Sequence, residues 1–257
     1  MRKLIGFILL AALMAVGNHL SADNEHFIKA ERLKRQGNYR EALKHYTALL
    51  APQKEYRLDG DELRGALFCL YQLGQLDDFD RMVTAAVAAH PHSAPTLWAA
   101  AVAYAGIPHD GCFRQGRFCR GYRHDGDKYV NARRRDRVMA IRYFLRVMAL
   151  LRNPREPGVV IDRAAFFRDF ARTVYQPQET WQLSYLTDLT RLPDYDEFPD
   201  PLCDVTGGAP VNAAGAPVFY HLPKSFQTAR NDGERWRWLL AQQAENGDAV
   251  GSKLTWA

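Results

Sequence analysis

The sequence predicts an all-α protein, a tetratricopeptide-like helical repeat array with two long irregular loops and a small β-hairpin. Three observations carry that expectation. The run Gly37-Asn38-Tyr39-Arg40-Glu41-Ala42-Leu43 recurs 37 residues later as Gly74-Gln75-Leu76-Asp77-Asp78-Phe79-Asp80. The same offset relates Ala30 to Leu67, Leu33 to Leu70, Ala42 to Phe79, Tyr46 to Val83 and Leu49 to Ala86. A further step of 34 carries Leu63, Leu67 and Leu70 onto Leu97, Ala101 and Tyr104, and Pro91 closes a unit. A period near 34 with small and apolar residues at fixed offsets is the mark of stacked helix pairs.

The 257 residues are enough for one helical array or two small domains. A hydrophobic content of 47% with 12% aromatics argues against a disordered chain. Residues 1–22 read separately, as a secretory signal peptide. Arg2 and Lys3 precede the apolar run Leu4–Val16, and Ala22 is a small residue before Asp23. The run is short for a bilayer span, although an uncleaved N-terminal anchor is the alternative. The basic surplus is local, with nine Lys/Arg against four Asp between 107 and 137.

The elements follow in order. Within 23–106, the repeat region, Asn24–Gln36 and Tyr39–Leu50 form one helix pair around Gly37-Asn38. Asp59–Leu73 and Asp77–Ala89 form the next, with Gly74 at the turn and His90-Pro91 as the stop. Thr96–Ala105 starts a third unit. Residues 107–132, with a glycine at every fifth position from Gly106 to Gly126, read as a long structured loop. Further helices fill 133–192: Arg133–Leu151 with a face of Val138, Ile141, Leu145 and Met148, then Ile161–Tyr175 with Phe167 and Phe170 facing inward. Pro177 opens another that carries Trp181, Tyr185, Leu189 and Leu192. Residues 193–223 are the second loop, with a small hairpin expected around Asn212–Gly215. The segment 224–246 is the C-terminal helix, and 247–257 a frayed tail.

Motifs for chemistry are sparse. The chain has no Gly-x-Ser-x-Gly elbow, no His-Glu-x-x-His, no P-loop and no dinucleotide fingerprint. The acids Asp194, Asp196 and Glu197 read as solvated loop residues. The densest cluster is His109, Cys112, Cys119 and His124. It admits a Cys112–Cys119 disulfide, pairing of either with Cys203, a tetrahedral zinc site or free thiols, with export favouring the disulfide. Cys69, between Phe68 and Leu70, reads as a small core residue. The same loop interleaves Arg114, Arg117, Arg120 and Arg123 with Phe113, Phe118 and Tyr122, a pattern that can bind polyanions or pair internally. Near the C terminus Arg235 and Arg237 alternate with Trp236 and Trp238. Positions two apart point to different faces of a helix, so one tryptophan is expected to be core and the other free to contact a partner.

A set of strings carries a family resemblance. They are Gly37–Leu43, Lys128-Tyr129-Val130-Asn131, Tyr185-Leu186-Thr187-Asp188-Leu189 and Leu192-Pro193-Asp194-Tyr195. Gly208-Ala209-Pro210-Val211, Pro223-Lys224-Ser225-Phe226 and Asn231-Asp232-Gly233-Glu234-Arg235-Trp236-Arg237-Trp238 follow. In this order, behind a signal peptide, they resemble the N-terminal helical-repeat region of bacterial alpha-2-macroglobulin-like proteins. The resemblance implies an envelope-associated protease-inhibitor system. The family's Cys-Gly-Glu-Gln thioester is absent, and so is any β-sandwich run, so its trapping chemistry is not implied here.

The expectation is therefore a non-enzymatic, exported helical-repeat scaffold for protein–protein interaction, in the periplasm or at the cell envelope. It has no cofactor and no metal. Its partner is another protein or later domains of the same system, with no nucleic acid. Contact residues are expected to be Arg114, Arg117, Tyr122, Arg235, Trp236 and Trp238. The alternative is a binder of envelope polyanions, lipid headgroups or glycans, through the Arg-rich loop.

Overall fold

Helix-forming stretches punctuated by glycine turns dominate the computed structural model, which describes residues 25–52, 58–121, 128–152, 161–175, 177–197, 211–248 and 251. The expected signal peptide, Tyr122, His124, Cys203 and most of the C-terminal tail lie outside the described residues. The chain is mostly helical with a small antiparallel sheet and forms two compact units, one up to Ala100 and one from Ala101.

In the first unit, α1 covers residues 25–35, α2 Tyr39–Leu49, α3 Asp61–Gln72 and α4 Phe79–Ala89, after a 3₁₀ turn at Leu76–Asp78. The helix α5, Ala94–Gly106, begins here and ends in the second unit. Two turns repeat each other atom for atom. Gly37 and Gly74 both take positive φ (78° and 66°), which only glycine adopts freely. After each, a backbone N–H reaches back five residues at 2.9 Å, Asn38 to the Leu33 carbonyl and Gln75 to the Leu70 carbonyl. The matched positions Ala42/Phe79, Tyr46/Val83 and Leu49/Ala86 are all buried.

Tyr46 is the keystone of the α2–α3 contact. Its ring is fully buried, and its hydroxyl donates to Glu31 Oε1. A Cβ at Gly65 of α3 would collide with that ring, so the missing side chain is what lets the two helices approach. Burial, with the Glu31 hydrogen bond added, pushes the Tyr46 phenol well above its usual range.

The second unit corrects the first loop expectation. Residues 107–132 contain three strands: β1 Asp110–Arg114, β2 Arg117–Arg120 and β3 Lys128–Asn131. A fourth, β4 Asp196–Glu197, comes from the second loop, and the antiparallel order is β2-β1-β3-β4. The reason is visible at Gln115-Gly116, where both residues have positive φ (50° and 76°), the two-residue hairpin turn that suits strand twist. The sequence is a palindrome about that turn, so Arg114 faces Arg117, Phe113 faces Phe118 and Cys112 faces Cys119.

The second unit also contains α6 Arg133–Arg152, α7 Arg163–Tyr175 and α8 Asp232–Glu245. Phe144 stacks on Phe170 at 4.7 Å, Phe170 meets Phe226 at 5.1 Å, and Trp238 closes the cluster against Phe167 and Phe226. Two helix expectations are shortened. The helix from Pro177 is a 3₁₀ segment ending at Ser184, beyond which the chain is irregular as far as β4. The C-terminal helix begins at Asp232, not Lys224, because Asn231 caps it, its side chain accepting from the Glu234 N–H at 2.8 Å. The expected hairpin near Asn212–Gly215 is a turn closed by one bridge, Val211 to Pro217, with Asn212 Oδ1 accepting from Ala214 and Ala216.

Substituting Gly65→Ala should cost about 1–3 kcal/mol despite alanine's better helix propensity, because Tyr46 must give up its seat. Urea unfolding followed at 222 nm checks this; a stabilised variant would show that the Tyr46–Gly65 contact is loose.

Candidate functional site

Two buried acids organise the second unit, each held by arginines. Asp136 sits in the first turn of α6, within the Arg133–Arg137 run, and is 2% exposed. Arg120 of β2, itself buried, grips it with two hydrogen bonds of 2.7 Å. His109 Nδ1 lies 2.8 Å from Asp136 Oδ2. Arg120 also lies over the rings of Phe118 (5.4 Å) and Tyr104 (5.9 Å). The strand, the end of α5 and the start of α6 are thereby tied at one carboxylate.

Asp232, fully buried at the N terminus of α8, is the second. Arg137 donates to its Oδ2 at 2.9 Å and Arg235 to its Oδ1 at 2.9 Å. Thr187 adds its hydroxyl and its backbone N–H. Arg137 also satisfies the carbonyls of Thr173 and Val174, which the end of α7 leaves without helical partners. Burial draws the Arg235 guanidinium below its usual value, and Asp232 pulls the other way.

A cleft of about 660 Å³ opens beside the first of these networks. Gly106 ends α5, and Pro108 turns the chain away from it. His109 and Asp110 are then fixed by Ala132 N–H to the His109 carbonyl (2.8 Å) and Asn131 Nδ2 to Asp110 Oδ1 (2.8 Å). Asn131 Oδ1 also accepts from Arg133 N at 2.7 Å, at the start of α6. Arg133 of α6 and Asp169, Arg172 and Thr173 of α7 complete the wall.

The expected site residues fall in different places. Arg114 and Arg117 are exposed at the hairpin tip. Arg120 is not available to a polyanion, since Asp136 holds it in the interior. Cys112 and Cys119 face each other across β1 and β2, both buried, with no disulfide between them. The turn sets the spacing. Gly121 N–H donates to the Asp110 carbonyl at 2.8 Å, and alternation from there makes Cys112/Cys119 a hydrogen-bonded pair. That class of pair holds its Cβ atoms farther apart than a disulfide prefers. Among the described residues no group of three or more His, Cys, Asp and Glu is placed to hold a metal ion.

Arg235 and Trp238, expected at a contact surface, are instead interior. Arg235 covers Phe226 at 4.9 Å and binds Asp232, and Trp238 belongs to the aromatic core. Trp236 is half-buried, stacked on Tyr175 at 4.7 Å, with its indole N–H finding no acceptor among the described residues. The alternation of Arg and Trp is explained by these internal contacts. His109 was picked out by the sequence, while Asp136, Asp232, Thr187 and Arg172 were not. Asp136 carried a signal, since it lies four and eight residues before the buried Ala140 and Phe144, on the apolar face of α6.

No protein-family model, no curated protein and no solved structure matches this chain. No helix among the described residues is long and apolar enough to cross a membrane.

Three predictions follow the geometry. Replacing Asp232 by alanine strands two buried guanidinium groups and should cost about 3–5 kcal/mol, whereas Asp188→Ala at an exposed position should leave stability close to that of the wild type. Chemical denaturation of both variants tests the contrast. For Glu234, the Arg230 guanidinium holds its carboxyl below the usual 4.5. Its stabilising contribution is therefore complete above that value and is lost as the pH falls through the lower, folded-state value. Glu234→Gln should be less stable than wild type at pH 7, the gap closing only as both are titrated below pH 4.5, in urea melts at each pH. Finally, burial pushes the Cys69 thiol up to about 11, and Cys112 and Cys119 are shielded in the sheet. Thiol titration of folded protein should label these three slowly, and fast labelling of Cys112 would contradict its burial.

Proposed function

We propose that this chain is a non-enzymatic helical-repeat scaffold, tetratricopeptide-like, that binds a protein partner. One observation carries the reading. Among the described residues of the first unit, the exposed large apolar side chains are Ile28, Phe68 and Tyr71. All three lie on the first helix of a pair, α1 or α3, and none on α2 or α4. Phe68 and Tyr71 are three residues apart and so share one face of α3. Stacked helix pairs use the first helices to line a groove for an extended or helical polypeptide, and apolar side chains left in water are the expected lining. The repeated turns at Gly37 and Gly74 support the same reading, because they hold successive pairs in one geometry.

The resemblance to the N-terminal region of bacterial alpha-2-macroglobulin-like proteins extends this proposal. In that reading the chain is exported to the periplasm or envelope, and its partner is a protein of that system or that system's later domains. The alternative, a polyanion surface, keeps Arg114 and Arg117 at the hairpin tip but loses Arg120 to Asp136. That loss is why the protein-binding reading is preferred.

A photoreactive benzoylphenylalanine placed at Tyr71 should cross-link a polypeptide in the native envelope fraction, and the same probe at exposed Thr47 of α2 should not. Equal labelling from both positions, or none from Tyr71, would count against the groove. An immunoblot of that fraction with antibody to residues 25–104 tests the family reading: a band several times the mass of this chain supports it, and a band at the chain's own mass opposes it.

A further inference from the structure

The cleft beside His109 plays no part in partner docking as proposed above, yet its walls have the make-up of a small-ligand site. Its volume of about 660 Å³ lies within the roughly 300–1,000 Å³ typical of ligand pockets. Val102, Ile107 and Pro108 give it an apolar wall, and a few polar groups are set by contacts from behind. His109 is the best defined of these. With the Nδ1 hydrogen directed at Asp136, Nε2 is the ring's remaining polar atom and is an acceptor in that tautomer. Asp136 is itself locked by Arg120, so the ring has a fixed tautomer and a fixed orientation.

Arg172 supplies the opposite function. It lines the same cleft from an exposed position on α7 and makes no hydrogen bond or ion pair with any described residue. The acid nearest it in the wall's sequence, Asp169, already sits 3.7 Å from Arg168 Nε, and Asp110 accepts from Asn131. The cleft thus joins an open cationic fork, a fixed hydrogen-bond acceptor and an apolar wall. We propose that it binds a small carboxylate carrying an adjacent hydrogen-bond donor and an apolar body, the chemistry of an N-acylated apolar amino acid or of a peptide's C-terminal residue. Arg172 takes the carboxylate, since a guanidinium fork matches it in two hydrogen bonds. His109 Nε2 accepts from the neighbouring N–H, and the side chain lies against Val102, Ile107 and Pro108.

Isothermal titration of the full chain with N-acetyl-leucine tests this, beside two analogues that each lack one group. N-acetyl-leucine amide keeps the donor and loses the charge, and 4-methylpentanoate keeps the charge and the apolar body but loses the N–H. The acid should bind saturably, shift the His109 ring resonances, and lose about tenfold or more in affinity in either analogue and in Arg172→Gln, as expected for a charged hydrogen bond. Arg172 is exposed, so that variant should melt at the wild-type temperature. Equal binding of acid and amide, unchanged binding to Arg172→Gln, or no saturable binding of the acid would each overturn the proposal. A blocked tripeptide ending in leucine separates the two sources: tighter binding than N-acetyl-leucine assigns the cleft to chain ends, and weaker binding assigns it to free acyl amino acids.

Discussion

The Asp232 carboxylate is the constraint on which the second unit depends. A fully buried charge is tolerated only if every lone pair is answered, and here Arg137, Arg235 and Thr187 answer them from three separate elements. The same contacts use up polar groups that would otherwise be stranded. Arg137 closes the carbonyls at the end of α7, Asp232 N–H donates to the Tyr185 carbonyl, and Arg235 donates to the Thr187 carbonyl. This explains why the chain after Ser184 is not helical. Its backbone partners lie on α8 and on α6, where Arg142 takes the Leu189 carbonyl, so it has no need of helical ones. The aromatic cluster of Phe144, Phe170, Phe226 and Trp238 then packs against an assembly whose relative positions the ion network has already set.

Asp136 plays the parallel part for the sheet. Its bidentate pair with Arg120 places a charged strand residue in the interior, and the rings of Phe118 and Tyr104 cover that guanidinium. Buried ion pairs contribute less net stability than an apolar core of the same size, but they tolerate very few alternative arrangements. Small sheets next to helices are prone to slip by one residue, which would turn Arg120 outward and leave Asp136 unpaired. Register is thus fixed from outside the sheet as well as by the Gln115-Gly116 turn. A consequence is the cleft: holding His109 against Asp136 opens the space between the end of α5 and α7.

The helix pairs of the first unit were legible residue by residue. Gly37, Gly74, Tyr46 and Leu49 announce their positions through local pattern, because a helix buries a stripe that recurs at its own period. The strands were hidden. The palindrome around Gln115-Gly116 was available, but five glycines and many arginines resemble a loop when no apolar alternation is complete. The sequence left open whether Arg120 binds a polyanion or pairs internally, because an arginine is buried only when a partner exists, and its partner lies 16 residues away on another element. Arg235 and Trp238 were misjudged for the same reason, since an aromatic and basic run reads as a contact surface until its internal partners are known.

By itself, then, the sequence determined the helices of the first unit and their turn glycines, which depend on neighbours within about one helical turn. Only the tertiary structure decided where the charges go. Whether an arginine is a surface contact, an ion-pair partner or a cleft residue depends on which carboxylate reaches it, and Arg137 meets Asp232 from 95 residues away. Local pattern carries no record of such a meeting, because the energy of a buried charge is set by the partner that folding brings to it.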